Sequence, residues 1–262
     1  MKVTKYTVRD DRIVEPFLIA HVSDLHEHSC GELIDLLEQA QPDLILCTGD
    51  MLERHSKSAG ASLKKRKIEK PHHVLYHFLA RDGIRDGGML FFHQSVSIAP
   101  VFYSLGNHEK YIRNEDRLRC RGYGVHILDN QDECIDVQGN KVRIGGLSYR
   151  ADWNWCEQFS QKDGIRILMA HHPEYVADHM LKDDQILPLD LILSGHAHGG
   201  QLAFLDHSLY SPGQGFLPKY TKGMRMTSHG MWIISAGTAN TIKVPRFNNP
   251  TELVLIEMGG KS

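Results

Sequence analysis

Short apolar runs, separated by turn residues, recur along the whole chain. Seven of them have the length of buried strands and are too short for helices. These predicted strands are Pro16–Val22, Leu44–Cys47, Val101–Leu105, Ile165–Ala170, Leu189–Leu193, Trp232–Ser235 and Leu253–Glu257. Since they are spread over almost the full length, the pattern predicts a fold whose centre is built from strands.

Other elements are predicted around these strands. Ser29–Glu32 has the sequence of a capping box, and the apolar residues after it follow helical spacing until Pro42. A helix is therefore expected between the first two strands. Glu133–Leu147 alternates between apolar and polar residues on both sides of Gly139-Asn140, which predicts a β-hairpin turning at that dipeptide. Together the elements predict an α/β fold with antiparallel pieces.

Composition narrows the class of protein. The 262 residues are 41% hydrophobic and 24% charged, which is enough apolar material for a core. No linker or repeat divides the chain, so residues 1–262 are predicted to form a single domain. The net charge of −2 gives no general reason to expect nucleic acid or an anionic membrane as a partner.

The cysteines and the N-terminal residues indicate in which cellular compartment the protein is expected. The five cysteines are scattered, and none forms a CxxC pair, so neither a disulfide framework nor a cysteine zinc site is expected. The first twenty residues hold no apolar stretch of the length that a signal peptide or a spanning helix needs. No transmembrane segment is predicted, and the expected location is the cytoplasm.

One stretch departs from the strand pattern. Residues 56–70 read SKSAGASLKKRKIEK, with six basic residues and one acid. This composition predicts a solvated, mobile loop. A basic flap over an anionic substrate is the alternative for the same stretch.

Potential metal ligands follow five of the predicted strands directly. In chain order these residues are Asp24 and His26, Asp50, Asn107, His171, and His196 with His198. In open α/β sheets, ligands bind beyond the carboxyl ends of strands. If those ends lie side by side, seven oxygen and nitrogen donors converge on one pocket.

The order and spacing of these residues resemble the calcineurin-like metallophosphoesterase superfamily. The shared pattern is DxH, GD, GNH[DE], a histidine before a proline turn, and GHxH, and here it runs from Asp24 to His198. GHAHGGQ and the segments Pro218–Gly223 and Asn248–Leu253 extend the likeness to a bacterial subgroup of predicted phosphohydrolases, the YaeI/YkuE-like proteins. The resemblance implies an αββα sandwich of two mixed sheets flanked by helices.

The resemblance also implies a dinuclear metal centre. One ion would be held by Asp24, His26, Asp50 and His198, and the other by Asp50, Asn107, His171 and His196. Mixed nitrogen and oxygen donors suit manganese, iron or zinc. Since Asn107 and the four histidines are neutral, the site keeps a net positive charge for phosphate. His108 is expected to protonate the leaving oxygen or to stabilise charge on the phosphate instead of binding metal.

The implied reaction is hydrolysis of a phosphodiester or phosphoanhydride in a small phosphate-containing substrate, by attack of a metal-bridged hydroxide. Two alternatives stay open. A metal-dependent nuclease would use the basic stretch, although the balanced net charge argues against it. A non-catalytic binding scaffold of the same fold would have lost ligands, whereas all seven are present here.

Most of the 17 histidines have no assigned role. His21 lies within a predicted strand and is expected to be packed or hydrogen-bonded there. His28 adjoins a helix start and is expected to face solvent, and His172 is a candidate neighbour of the metal ligands. Arg246 and Lys219 are candidates for phosphate contact, with a structural ion pair as the alternative for each.

Overall fold

Two six-stranded sheets organise the chain, and the predicted strands form their centres. The computed structural model describes residues 1–54, 86–181, 187–200, 202–204, 207–211, 214–216, 218–239, 246 and 249–260. The basic stretch at 56–70 lies outside the described residues. The first sheet contains β1 (Lys2–Arg9), β2 (Phe17–Val22), β3 (Leu44–Cys47), β4 (Val101–Ser104), β5 (His126–Leu128) and β15 (Glu252–Gly259). The second contains β6 (Gln131–Val137), β7 (Asn140–Leu147), β8 (Ile165–Ala170), β9 (Leu191–Ser194), β13 (Gly223–Thr227) and β14 (Gly230–Ile234).

Smaller elements complete the described structure. A three-stranded antiparallel sheet is formed by β10 (Leu202–Phe204), β11 (His207–Ser211) and β12 (Gly215–Phe216). The helices are α1 (Gly31–Ala40), α2 (Gly87–Ser95), α3 (Asn114–Tyr123), α4 (Trp153–Ser160) and the short α5 (Pro173–Tyr175), which continues as a π-helical turn (Val176–Met180). None of the described helices has both the length and the apolar character needed to cross a membrane.

Both large sheets are mixed. The first has the order β1-β15-β2-β3-β4-β5, and in it β2 to β5 run parallel while β15 is antiparallel to β2. The second has the order β13-β14-β9-β8-β7-β6, and its four central strands are parallel. Because parallel neighbours end at the same edge, β2, β3 and β4 deliver their following loops to one place, as do β8 and β9.

Alternate residues of the central strands face different cores. In β3, Leu44 and Leu46 pack between the two sheets, whereas Ile45 and Cys47 pack against the helices α1 and α2. The side chains of the second sheet also alternate between two cores, and Leu168 of β8 packs against α4 and α5. The layers are therefore helix, sheet, sheet and helix. The predicted αββα sandwich is confirmed, and burial on both faces explains why the strands are continuous apolar runs.

Two local predictions were wrong in detail. Helix α1 begins as expected, but Cys30 is its N-cap residue and makes no capping hydrogen bond through its side chain. The Glu32 carboxylate, predicted to close the capping box, instead binds the N-terminal ammonium of Met1. The hairpin turns at Gln138-Gly139, one residue earlier than predicted. Both turn residues have positive φ (52° and 76°), which is the geometry that two-residue hairpin loops favour.

The edges of the sandwich gave the weakest sequence signals. Strand β1 was not predicted, because it lies at the edge of the first sheet and only one of its eight residues is buried. Strand β13 holds the corresponding edge of the second sheet and was missed for the same reason. All five cysteines are free, as expected, and four of them are buried.

Candidate metal centre

The eight residues singled out from the sequence lie together at one edge of the sandwich. Loops after β2, β3 and β4 supply five of them: Asp24, His26, Asp50, Asn107 and His108. Loops after β8 and β9 of the other sheet supply the remaining three: His171, His196 and His198. Contacts between side chains or ring centres link all eight, so the strand ends converge as predicted.

The backbone of these loops is held in an unusual conformation. Nine described non-glycine residues have positive φ, a region that costs energy for side chains with a Cβ atom. Five of the nine belong to the predicted site: Asp24 (58°), His26 (49°), Asp50 (52°), His196 (64°) and His198 (49°). Strained backbone concentrates where a site needs its side chains aimed inward.

Two glycines let these loops approach each other closely. A Cβ atom on Gly106 would lie 2.3 Å from Asp50 Oδ1, and one on Gly195 would lie 1.8 Å from Ser23 Oγ. Neither position has room for a side chain. The glycines that precede Asn107 and His196 are therefore required by the packing of the site itself.

The first group of donors contains Asp24, His26 and His198. Asp24 Oδ1 lies 3.6 Å from His198 Nε2 and 3.8 Å from His26 Nε2. His26 Nδ1 donates a hydrogen bond to Glu53 Oε1 (2.8 Å), whereas its buried Nε2 has no hydrogen-bond partner among the described residues. A buried nitrogen that lacks a partner and faces two carboxylates is a position that a cation would satisfy.

The second group is centred on Asp50. Asp50 Oδ2 lies 3.1 Å from His171 Nε2, which also lies 3.2 Å from Asn107 Oδ1. The other ring nitrogen of His171 donates to Thr48 O (2.7 Å). The ring of His196 is centred 5.2 Å from that of His171. Asp50 Oδ2 also lies 3.9 Å from His26 Nε2, so this carboxylate contacts both groups of donors.

The electrostatics of the site demand positive charge. Burial opposes ionisation of Asp50, but the neighbouring His171 holds the pKa of this carboxyl well below its ordinary value. Burial likewise opposes a charged imidazole, yet the Asp50 carboxylate raises the pKa of His171 to about 10. The buried carboxylates therefore favour a positive charge beside them, which a divalent cation would supply.

Comparison with known proteins agrees with this geometry. The family described as Calcineurin-like phosphoesterase matches residues 17–200, which is more than half of the chain and includes all eight predicted residues. The chain belongs to this family. It is therefore a metallophosphoesterase, a hydrolase that acts on phosphate ester bonds. Members of the family typically bind two metal ions, and the structure provides buried His/Asp clusters of the kind that hold them.

Individual relatives are distant. The uncharacterized protein YpbG of Bacillus subtilis is 27% identical over 238 residues, which cover 88% of this chain and 76% of YpbG. The phosphodiesterase YaeI of Escherichia coli is 28% identical over 113 residues, or 40% of this chain and 38% of YaeI. The crystal structure of a 5'-nucleotidase precursor from Thermus thermophilus matches 93% of this chain with 15% identity and a TM-score of 0.51. This chain spans about half of that structure, and the match supports the fold alone.

One residue of the phosphoesterase site was missed in the sequence. Glu53 accepts a hydrogen bond from His26 Nδ1 and lies 3.2 Å from His108 Nδ1, so it holds two imidazoles of the site. Burial works against its charge, but these contacts keep the pKa of Glu53 below its ordinary value. The sequence signal was its place three residues after Asp50, in the loop that carries a predicted ligand.

Arg54, the next residue, anchors the same loop. Its guanidinium is buried and binds Asp116 of α3 through two hydrogen bonds of 3.0 Å. It also pairs with Glu27 and lies 3.4 Å from Asp86. Glu27 follows His26 directly, so Arg54 ties two loops of the metal centre to the helices behind the first sheet.

The neighbouring candidates have different positions. The ring of His172 is centred 4.2 Å from that of His196, next to the predicted ligands. Arg246 Nη2 donates to His198 Nδ1 (3.1 Å), and Nη1 donates to Ala236 O. His21 is buried in β2, where its Nε2 lies 2.9 Å from Thr48 Oγ1, as expected for a packed histidine.

Proposed function

We propose that this chain is a dinuclear metal-dependent phosphoesterase that cleaves phosphodiesters or phosphoanhydrides. The supporting observation is the position of Asp50. Its Oδ2 atom lies 3.1 Å from His171 Nε2, on the loop after β8, and 3.9 Å from His26 Nε2, on the loop after β2. A carboxylate between two sets of donors is what a bridging ligand requires.

The ligand sets follow from the family pattern and from these contacts. Asp24, His26, Asp50 and His198 would hold one ion, and Asp50, Asn107, His171 and His196 the other. The donors combine two carboxylates, one amide oxygen and four imidazoles, which favours manganese, iron or zinc. Two bound divalent ions would supply an activated water and would neutralise the charge that develops on the phosphate oxygens.

His108 is the proposed proton donor. Its side chain is partly exposed, with 31% of its surface accessible, and its Nε2 lies 3.9 Å from Asp50 Oδ2. Burial of the ring disfavours a charge, but the hydrogen bond to Glu53 and the carboxylate of Asp50 raise the pKa of His108 to about 9. The ring therefore carries a proton at neutral pH that it can give to a leaving oxygen.

The proposed substrate class rests on resemblance. The relative YaeI is described as a phosphodiesterase, and its similarity covers 40% of this chain. This supports a diester in preference to a monoester. A nuclease remains the alternative through the basic stretch at 56–70, which lies outside the described residues. A scaffold without catalysis would require the loss of ligands that are all present.

A hydrolysis assay with a matched control tests this proposal. The full chain would be loaded with manganese or zinc and given bis(4-nitrophenyl) phosphate, 4-nitrophenyl phosphate, a nucleoside diphosphate conjugate and single-stranded DNA. Wild type and Asp163→Asn, an exposed control, should cleave the diester or the anhydride. Asp50→Asn should not cleave either. Equal activity of Asp50→Asn and wild type would refute the assignment, and cleavage of DNA alone would favour the nuclease.

A further inference from the structure

A second concave site lies at the open edge of the sandwich. It is a cavity of about 630 Å³ whose walls come from both sheets. Strand β1 forms the edge of the first sheet and β13 the corresponding edge of the second, and residues of both line the cavity. The opposite edges, β5 and β6, contribute apolar side chains such as Leu128 and Val137 to the core between the sheets.

Alternation along β1 aims its polar residues into the cavity. Lys2, Thr4 and Tyr6 line it, and because they are alternate residues they share one face of the strand. Tyr6 packs against the core between the sheets, so Lys2 and Thr4 lie on the inner face, where a sandwich ordinarily places apolar residues. Lys5 belongs to the opposite face and is exposed.

The cavity carries an excess of positive charge. Among the described residues, four cations and a single carboxylate, Glu252, line the cavity; the cations are Lys2, Lys219, Lys222 and Arg225. Glu252 is engaged by other groups, since it accepts hydrogen bonds from Thr4 Oγ1 and from the Ala236 amide. Within the described ranges, none of the four cations forms an ion pair. Cations grouped in a concave site without partner carboxylates attract anions.

Arg225 is oriented before any ligand binds. Its guanidinium carbon lies 5.0 Å from the ring centre of Tyr220 and 5.5 Å from that of Trp232, which fixes the plane of the group. Nη2 donates to Lys219 O (3.4 Å), and the buried Nε has no hydrogen-bond partner in the described part of the chain. A held guanidinium with an unused donor suits phosphate, whose oxygens accept parallel hydrogen bonds.

We propose that this cavity is a second phosphate-binding site, separate from the metal centre. Its volume lies within the range of small-molecule sites, roughly 300–1,000 Å³. The two sites share a wall, because Asn249 lines the cavity while its Nδ2 donates to His198 O (2.6 Å) and Gly200 O (2.7 Å). The ligand is therefore either the distal phosphate of a substrate bound at the metal centre or a separate phosphate compound.

Calorimetric titration with inorganic phosphate tests the cavity. Metal-loaded wild type should bind two phosphates per chain, one at each site, and chelator-treated wild type should bind one. The variant Lys2→Gln/Lys222→Gln should weaken the cavity site at least about 10-fold, since it removes two of the charged donors that line it. Lys5→Gln/Lys141→Gln removes the same charge elsewhere and should bind as wild type does.

The outcomes separate this proposal from the proposed activity and from a simpler role. Phosphate binding to chelated protein needs no metal, so the cavity stands even if the metal centre fails. Inward charges on edge strands also prevent aggregation between edges. If the Lys2/Lys222 variant aggregates but binds phosphate like wild type, the cations serve that role alone and the proposal is wrong.

Kinetics identify the source of the phosphate. If a substrate reaches both sites, the Lys2/Lys222 variant raises KM about 10-fold for a nucleoside diphosphate conjugate and leaves KM for bis(4-nitrophenyl) phosphate unchanged. If the ligand is a separate compound, both KM values stay unchanged while phosphate binding to the cavity is still weakened. Either result supports the site, whereas unchanged binding by the variant refutes it.

Discussion

The two sheets bring different chemistry to the proposed metal centre. The first sheet supplies every oxygen donor, Asp24, Asp50 and Asn107, together with His26 and His108. The second supplies imidazoles alone, from His171, His196 and His198. All the negative charge of the predicted ligands therefore comes from one side of the sandwich, and neutral nitrogen donors come from the other.

The contacts between the sheets show which side organises the other. Asp24 accepts a hydrogen bond from the His196 backbone amide, with Oδ2 at 3.1 Å. Thr48, in the first sheet's β3 loop, accepts from His171 Nδ1 at 2.7 Å. The loops of the second sheet are thus held by acceptors of the first. We expect changes in the first sheet to abolish the site and changes in the second to retune it.

The largest effect is expected from Asp50→Asn. This change removes a charge that faces both groups of donors, so phosphoesterase activity should fall to background at saturating manganese. The matched change in the second sheet, His196→Asn, replaces a neutral nitrogen donor with a neutral oxygen donor and should leave measurable activity with altered metal preference. Initial rates across manganese, zinc and iron compare the two. Equal losses of activity in both variants would contradict this difference between the two sheets.

His108→Gln should lower kcat by about 10²–10⁴-fold, the usual range for loss of a general acid. Because His108 is not a proposed ligand, the variant should retain the metal content of wild type. The measurement is kcat with a poor and a good leaving group, alongside metal analysis. The loss should shrink for the good leaving group, since that oxygen needs little protonation. A loss of bound metal would instead make His108 a ligand.

Arg54→Met tests the anchoring of the first-sheet loops. Removal of a buried cation takes the guanidinium away from the Asp116 and Glu27 carboxylates, which should lower the free energy of unfolding by about 3–5 kcal/mol. Urea unfolding measures this difference. Arg117→Met, which breaks a partly exposed pair with Asp129, should cost less than about 1 kcal/mol. Equal costs would show that the Arg54 contacts are not structural.

Glu53→Gln should weaken activity or metal affinity by about 10–100-fold, as is typical for groups that orient a metal-binding histidine. The amide retains the shape of the side chain but loses the charge that holds both His26 and His108. A titration of manganese against activity separates affinity from kcat. An unchanged profile would exclude Glu53 from the site.

We expect the smallest effect from a change at His21, which lies in the first sheet and serves as a control there. Burial lowers its pKa to about 3, against about 6.5 in an unfolded chain. Between these values the unfolded chain binds a proton that the folded chain does not, so stability falls as pH falls through this window. The His21 contribution to the slope is at most about 1.4 kcal/mol per pH unit. His21→Gln should flatten the pH dependence of urea unfolding. An unchanged slope would contradict the lowered pKa.

The sequence was sufficient where a residue closely follows an apolar run. The proposed ligands lie one to five residues after such a run, because a strand buried on both faces ends at the edge where the site forms. Glu53 and Arg54 lie deeper in a loop that has no periodicity, and their partners come from α3 and from the β2 loop. Their roles depend on tertiary contacts that no local pattern records.

Other features depended on pairing between distant segments. Lys2 and Lys222 are far apart in sequence and share the basic cavity only because β1 and β13 hold facing edges of the two sheets. The hairpin position was wrong by one residue because the Asn140 side chain is used elsewhere. Its Nδ2 donates to Glu15 O, and its Oδ1 accepts from Val14 N. Asn140 therefore starts a strand instead of filling the turn.

The number of metal ions bound per chain is the sharpest test of the proposed dinuclear site. Wild type, Asp24→Asn and Asp50→Asn would be dialysed against saturating manganese and measured by elemental analysis. We expect two ions in wild type, one in Asp24→Asn, which loses a ligand to a single ion, and none in Asp50→Asn, which loses the bridge. A single ion in wild type, or undiminished content in Asp50→Asn, would contradict the proposed site.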